Sequence, residues 1–338
     1  MKKALLILTS LFLVSPVSAA PNNAVEQSTP VEQQQTPTAQ ERIQQLAYTA
    51  QNIKASSEER ADALRQLSRF PNQNSLVAVA RALKDKDPIV REAAIVGAEP
   101  YKAEHRWSMI SPLLKDKVEK VRITAAMNLV RDFSNMDKAQ QAQLEPVVSE
   151  LKAHLKARSD QDSQLLLADT YHWHQEWQKA DELYRSLLKD DFHNPQIWLS
   201  LADNERGQEH NQEAIEILDE ALKTLPNNAD LHYSKSLALV RLGQKEQASK
   251  EIKSAATLAK DNSYYWYLNG VLQEEFDVTA STASFEKAYL ISGAPEQLYA
   301  VCDIYARYGN PKAQQCIDEL SQYAPEYVIK ELTSKIKQ

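Results

Sequence analysis

The side chains most suggestive of chemistry lie in one short segment, Tyr171-His172-Trp173-His174-Gln175-Glu176. Two histidines and a carboxylate are familiar metal ligands. Their spacing works against that use. On a helix, residues two apart point roughly 200° apart, so His172, His174 and Glu176 cannot converge on one ion. A loop site would require the helix to end there. Other catalytic patterns are missing from the sequence. There is no HExxH, no GxSxG and no glycine-rich phosphate loop, and the whole chain has six glycines. The two cysteines, Cys302 and Cys316, are too far apart for a CxxC or CxxCH motif. No metal, no cofactor and no enzymatic activity is expected. A cryptic enzyme would need a convergent polar pocket that nothing in the sequence suggests.

The elements that carry these residues are announced by two periods. Ala180, Ala214 and Ala248 lie 34 residues apart, and so do Ala168, Ala202, Ser236 and Gly270. Upstream, Arg60, Arg91 and Arg122 recur every 31 residues, with Ala63, Ala94 and Ala125 in step. Periods of this size mark stacked repeats whose units bury their apolar faces against each other. Helix formers dominate, and no strand-like alternation persists. The expected fold is therefore all-α, an α-solenoid of stacked helical hairpins.

Five regions are expected. Residues 1–19 read as a secretory signal: Lys2 and Lys3, an apolar run, then Val17-Ser18-Ala19 before the cleavage site. The compact signal suggests a Gram-negative periplasm, with a soluble mature chain and no membrane insertion. Residues 20–40, rich in Gln, Pro, Thr and Asn, read as a disordered leader. The 31-residue array occupies 41–158 and the 34-residue array 159–325, with a capping helix at 326–338. Charge divides at the same boundary. Residues 41–158 carry 20 Lys and Arg against 15 Asp and Glu, whereas 159–325 carry 14 against 27. The second array is therefore net −13, which attracts cationic partners and disfavours nucleic acid.

Three hairpins are expected in the first array, at 41–53 with 57–70, 75–84 with 88–98, and 107–115 with 119–133. A long helix over 136–158, kinked at Pro146, follows. The segments LKDKDPIVREAA (83–94) and LKDKVEKVRITAA (114–126) resemble HEAT repeats of a compact variety. The matching pieces are Asp85 and Asp116, Val90-Arg91 and Val121-Arg122, and the pairs Ala93-Ala94 and Ala125-Ala126. The resemblance implies that Arg91 and Arg122 tie adjacent repeats together rather than act in catalysis.

The second array resembles tetratricopeptide repeats (TPRs). Its best unit, 195–228, has Trp198, Leu201, Ala202, Ala214, Leu218, Ala221 and Pro226 at the family's spacing. Two later units are slightly short. The resemblance implies a concave groove lined by the first helix of each unit. It would present Asp162, Asp169, Trp173, Asp203, Arg206, Tyr233, Arg241, Tyr264, Tyr267, Glu274, Tyr299 and Asp303. That is an acidic face with aromatic interleaving, suited to a protein or peptide of basic character. The Lys/Asn clamp that some family members use for a C-terminal carboxylate is absent. Cys302 and Cys316 fall on the two helices of the fifth unit. In an oxidising compartment they form a disulfide or remain separate buried thiols.

The order of arrays is similar to the HEAT–TPR tails behind multihaem cytochromes c, although this chain has no haem motif of its own. The expected function is a periplasmic scaffold, with a role beside cytochromes c as a refinement. A cell-envelope assembly factor is the alternative. The sequence does not indicate an oligomeric state.

Overall fold

The computed structural model describes residues 38–336. The expected signal, and the leader up to residue 37, lie outside the described residues. Among those described, all regular structure is helical: eighteen α-helices and two short 3₁₀ turns, with no strand. The chain is an all-α solenoid in which helices pack chiefly against their neighbours in chain order.

The first array contains α1 (Ala39–Gln51), α2 (Ser57–Leu67), α3 (Gln73–Ala82), α4 (Pro88–Gly97), α5 (Ala103–Ile110), α6 (Glu119–Val130) and α7 (Lys138–Lys156). Local chemistry sets the starts of these helices. Ser56 and Glu59 form a reciprocal capping box on α2, and Asp87 caps α4 with Pro88 in the first turn. The helix expected at 107–115 is instead broken. Pro112 has no N–H to donate to the preceding turn, so α5 stops at Ile110 and Ser111–Lys115 is a 3₁₀ turn. Pro146 does lie inside α7.

Packing places α2, α4 and α6 side by side, with Leu64, Val90, Ala94, Val121, Ala125 and Leu129 fully buried. A ladder of ion pairs follows the 31-residue period. Arg60 pairs with Asp85, Arg91 with Asp116, and Arg122 with Glu150 of α7. Each arginine bonds a carboxylate in the next unit. Asp85 and Asp116 also accept from the backbone N–H of Asp87 and Val118, at 2.9 Å each. A polar knot not anticipated from sequence joins α5 to α6. Arg106, almost wholly buried, donates to Asn128 and Asp132, and Asn128 donates on to the Ile95 carbonyl at 3.2 Å.

The second array contains α8 (Gln161–Trp173), α9 (Trp177–Asp190), α10 (Pro195–Gly207), α11 (Asn211–Thr224), α12 (Ala229–Arg241), α13 (Lys245–Leu258), α14 (Ser263–Gln273), α15 (Val278–Ser292), α16 (Pro295–Tyr308), α17 (Ala313–Leu320) and α18 (Glu326–Lys335). Its repeat is written in caps as well as in core residues. Asp160, Asn194, Asn228 and Asn262, spaced by 34, each accept a backbone N–H at the start of α8, α10, α12 and α14. Gln175, Glu209 and Gly243, also spaced by 34, take φ of +62°, +65° and +74° in the turns between paired helices. Only the third of these is glycine, the residue that adopts this conformation without strain. At Gly270 the helices come so close that a Cβ would lie 2.7 Å from the Phe285 ring.

The period and charge change near residue 158 without interrupting the core. One apolar cluster runs from Ala47 to Ala248, and α7 packs directly on α8. A smaller cluster follows around Ile252 and Tyr265, and a third around Phe285, Cys302 and Ile317. Cys302 on α16 and Cys316 on α17 are joined by a disulfide, with Cα atoms 5.4 Å apart. No described helix is long and apolar enough to cross a membrane.

Candidate functional site

The histidine segment resolves into two separate structural contacts. His172 turns toward α10, with Nδ1 3.2 Å from Asn204 Oδ1. His174 caps α8 and faces α7, with Nε2 2.8 Å from Glu145 and Nδ1 2.9 Å from Lys152 Nζ. Among the described residues, no group of three or more His, Cys, Asp or Glu side chains could hold a metal ion. Glu176 completes the second contact by accepting from Lys152 and Lys179. Burial opposes ionisation of Glu176, but these two ammonium groups outweigh it and bring its pKa from 4.5 to about 2.

That shift carries a sign. The folded form holds the charged carboxylate more strongly than the unfolded chain does. The stabilisation is whole above pH 4.5 and is lost as pH falls toward 2. Glu176→Gln is expected to cost roughly 1.5–3 kcal/mol near neutral pH, the range for bonds to charged groups. The gap from the parent should close in acid. Urea melts at several pH values would check this, and a gap independent of pH would refute it.

The expected groove residues divide into three sets. The first gathers around one cavity of about 320 Å³ between α10 and α12. Asp203, Arg206 and Tyr233 line it with Leu199, Asp230, Ser234, Leu237 and Tyr265. Tyr233 packs on Tyr265 at 4.9 Å between centroids and edge-on to the half-exposed Tyr264 at 6.1 Å. Tyr265 donates to Asp230 at 2.5 Å. The Ser234 hydroxyl is buried without a hydrogen-bond partner, and so is Arg206 Nε.

The second set surrounds a neighbouring cavity of about 220 Å³. Trp173 and Arg241 line it, with Asp203 and Arg206 common to both cavities. Arg131, from the end of α6, reaches into the same place and lies 5.1 Å over the Trp173 ring. No periodicity within the second array could have indicated a residue supplied by the first.

The third set is not gathered there. Asp162 is exposed in the first turn of α8. Asp169 is half-buried and accepts from Tyr184 at 2.6 Å, with burial raising its carboxyl above the usual range. The Arg307 guanidinium pairs with Glu274 and holds its carboxyl below the usual range. Asp303 is shared by Arg307 and Lys335. Tyr267 packs on Phe285, and Tyr299 lies against the third apolar cluster. The face is thus less openly acidic than its composition implies, because Asp169, Glu274 and Asp303 are engaged within the chain.

Residues 206–271, which include Arg206, Tyr233, Arg241, Tyr264 and Tyr267, match the family model of the tetratricopeptide repeat. Over those residues the chain is similar to tetratricopeptide repeats. A TPR repeat-containing protein of Methanocaldococcus jannaschii is 26% identical over 159 residues, which is 46% of this chain and 28% of that protein. The chain therefore spans little more than a quarter of the curated relative it matches. Among solved TPR structures, YrrB, described as a TPR protein with an unusual peptide-binding site, aligns with a TM-score of 0.42 at 20% identity. That alignment covers 52% of this chain and 92% of YrrB. Pseudomonas aeruginosa PilF aligns with a TM-score of 0.42 at 16% identity, over 63% of this chain and 97% of its own.

A further cavity of about 640 Å³ was not expected from sequence. It lies between α15 and α17, beside Leu290, which is 84% exposed, and Cys316 of the disulfide. A single exposed leucine on a helix carries no periodic signal that would distinguish it from an ordinary surface residue.

Proposed function

We propose that this chain is a non-enzymatic scaffold that binds a protein or peptide along the α8–α10–α12 face of its TPR array. The observation that carries the reading is the cavity between α10 and α12. Aromatic area from Tyr233 and Tyr265 adjoins a buried hydroxyl and a buried guanidinium nitrogen that lack partners. Buried polar atoms without partners are costly, and a peptide's own polar groups would satisfy them. Tyrosines buried on binding supply affinity at little entropic cost.

The finer features belong to the same proposal. The partner has basic segments, drawn by the net charge of −13 on residues 159–325. The protein is exported to the periplasm after cleavage behind Ala19. The first array is HEAT-like, a reading supported by its ladder of Arg–carboxylate bonds at a 31-residue period. A place beside respiratory cytochromes c or their assembly fits the order of the arrays, and assembly of the cell envelope is the alternative.

The test is capture from periplasmic extract, followed by binding kinetics of the captured protein. Affinity should fall with added salt, because exposed charges are screened beyond about 10 Å at 0.1 M. Tyr233→Ala should speed dissociation by roughly 10-fold or more, the scale of a central aromatic contact. Asp162→Lys, at the exposed first turn of α8, should slow association. Charge reversal at Arg65, Lys84 and Lys115 on the first array should change little. Loss of binding in that control, with normal groove variants, would place the binding face on the wrong array.

A further inference from the structure

The cavity where the two arrays meet has a charge opposite to its surroundings. Three guanidinium groups line it: Arg131 from the first array, and Arg206 and Arg241 from the second. Asp203 is the sole carboxylate among its lining residues, and it is already bonded to Arg206. Neither Arg131 nor Arg241 forms a salt bridge among the described residues; Arg131 acts through space on Asp169, which lies outside the lining and accepts from Tyr184, so positive charge remains in excess within the cavity. Most of the cavity's lining nevertheless belongs to the array whose net charge is −13.

The geometry also leaves donors ready for use. Arg131 lies 5.1 Å over the Trp173 ring, and a cation–π contact of this kind uses none of the guanidinium's hydrogen-bond donors on another side chain. Arg206 spends one terminal nitrogen on Asp203 while its Nε stays buried and unpartnered. Planar forks of this kind match a carboxylate in two-point contact. Asp203 in the same cavity would oppose a doubly charged phosphate more strongly than a singly charged carboxylate.

We infer that this junction cavity takes the side-chain carboxylate of an Asp or Glu within the bound peptide. The inference rests on the groove reading above and refines it. The partner is not uniformly basic: it carries one acidic residue that sets its register, with aromatic-contacting residues lying toward Tyr233. Because Arg131 belongs to the first array, both arrays contribute to recognition.

The probe is a positional-scanning library of 12-residue peptides with amidated C-termini, so that only side chains supply carboxylates. With the full chain, one position should favour Asp and Glu over Lys by about 10- to 100-fold, the range for bonds to charged groups. In the double variant Arg131→Glu with Arg241→Glu, that preference should vanish or reverse to Lys and Arg, while preferences elsewhere persist. Arg131→Gln with Arg241→Gln, a milder pair at two exposed positions, should flatten it if the reversal unsettles the fold. Far-ultraviolet circular dichroism would verify the helices in each. Binding without an acidic position, or an acidic preference that survives both pairs, overturns this inference alone. A stronger preference for phosphoserine than for Glu at that position overturns the choice of carboxylate. No binding by any peptide overturns the groove reading and this inference with it.

Discussion

Arg91→Ala is expected to lower the stability of the first array by about 3–5 kcal/mol, the cost of stranding a buried charge. Arg91 bonds Asp116 twice, at 2.8 and 2.9 Å, and donates to the Asp85 and Lys86 carbonyls at 2.8 and 3.0 Å. Asp116 is 8% exposed at its side chain, so water cannot replace the lost guanidinium. Burial opposes the Asp116 charge, and Arg91 with the Val118 N–H overcomes this and holds its carboxyl below the usual range. Arg65→Ala is the contrast. Arg65 also pairs across repeats, with Glu92, but its side chain is 42% exposed. Such pairs contribute roughly 0–1 kcal/mol. Urea titration followed by circular dichroism would separate the two, and equal losses would show that the ladder does not hold the units together.

Ala214→Pro is expected to cost about 3 kcal/mol or more, and to do so locally. The Ala214 N–H donates to the His210 carbonyl at 3.1 Å, a bond that proline cannot make. Ala214 is also fully buried where α11 faces α10, which leaves no room for the ring. In an array whose units contact mainly their neighbours, the loss should spread first through α10 to α13. Hydrogen exchange should therefore rise in those helices before it rises in α2 to α6. A uniform rise along the chain would mean that the array unfolds as one unit.

The fold was legible because its packing is local. Small residues at 34-residue intervals mark where paired helices touch, and the caps at Asp160, Asn194, Asn228 and Asn262 repeat the signal at helix starts. The break at Pro112 follows from a missing donor, yet an apolar periodicity continues across it and conceals the 3₁₀ turn. The site was legible only in part. Family spacing places Asp203, Arg206 and Tyr233 on one face, and they do share a cavity. It does not reveal that Tyr184 would occupy Asp169, or that Arg307 would occupy Glu274, since those partners come from other helices. Arg131 was the least visible, because its position depends on how α6 and α7 present the first array to α8.

The Cys302–Cys316 bond also bears on how the chain would behave under tension. The thirteen residues between the two sulfurs cannot add to its length however far it is drawn out. At about 3.3–3.6 Å per extended residue, that withholds some 45 Å of reach from the last repeats. A pull on both ends would leave the covalently closed α16–α17 pair as a knot that the load passes around.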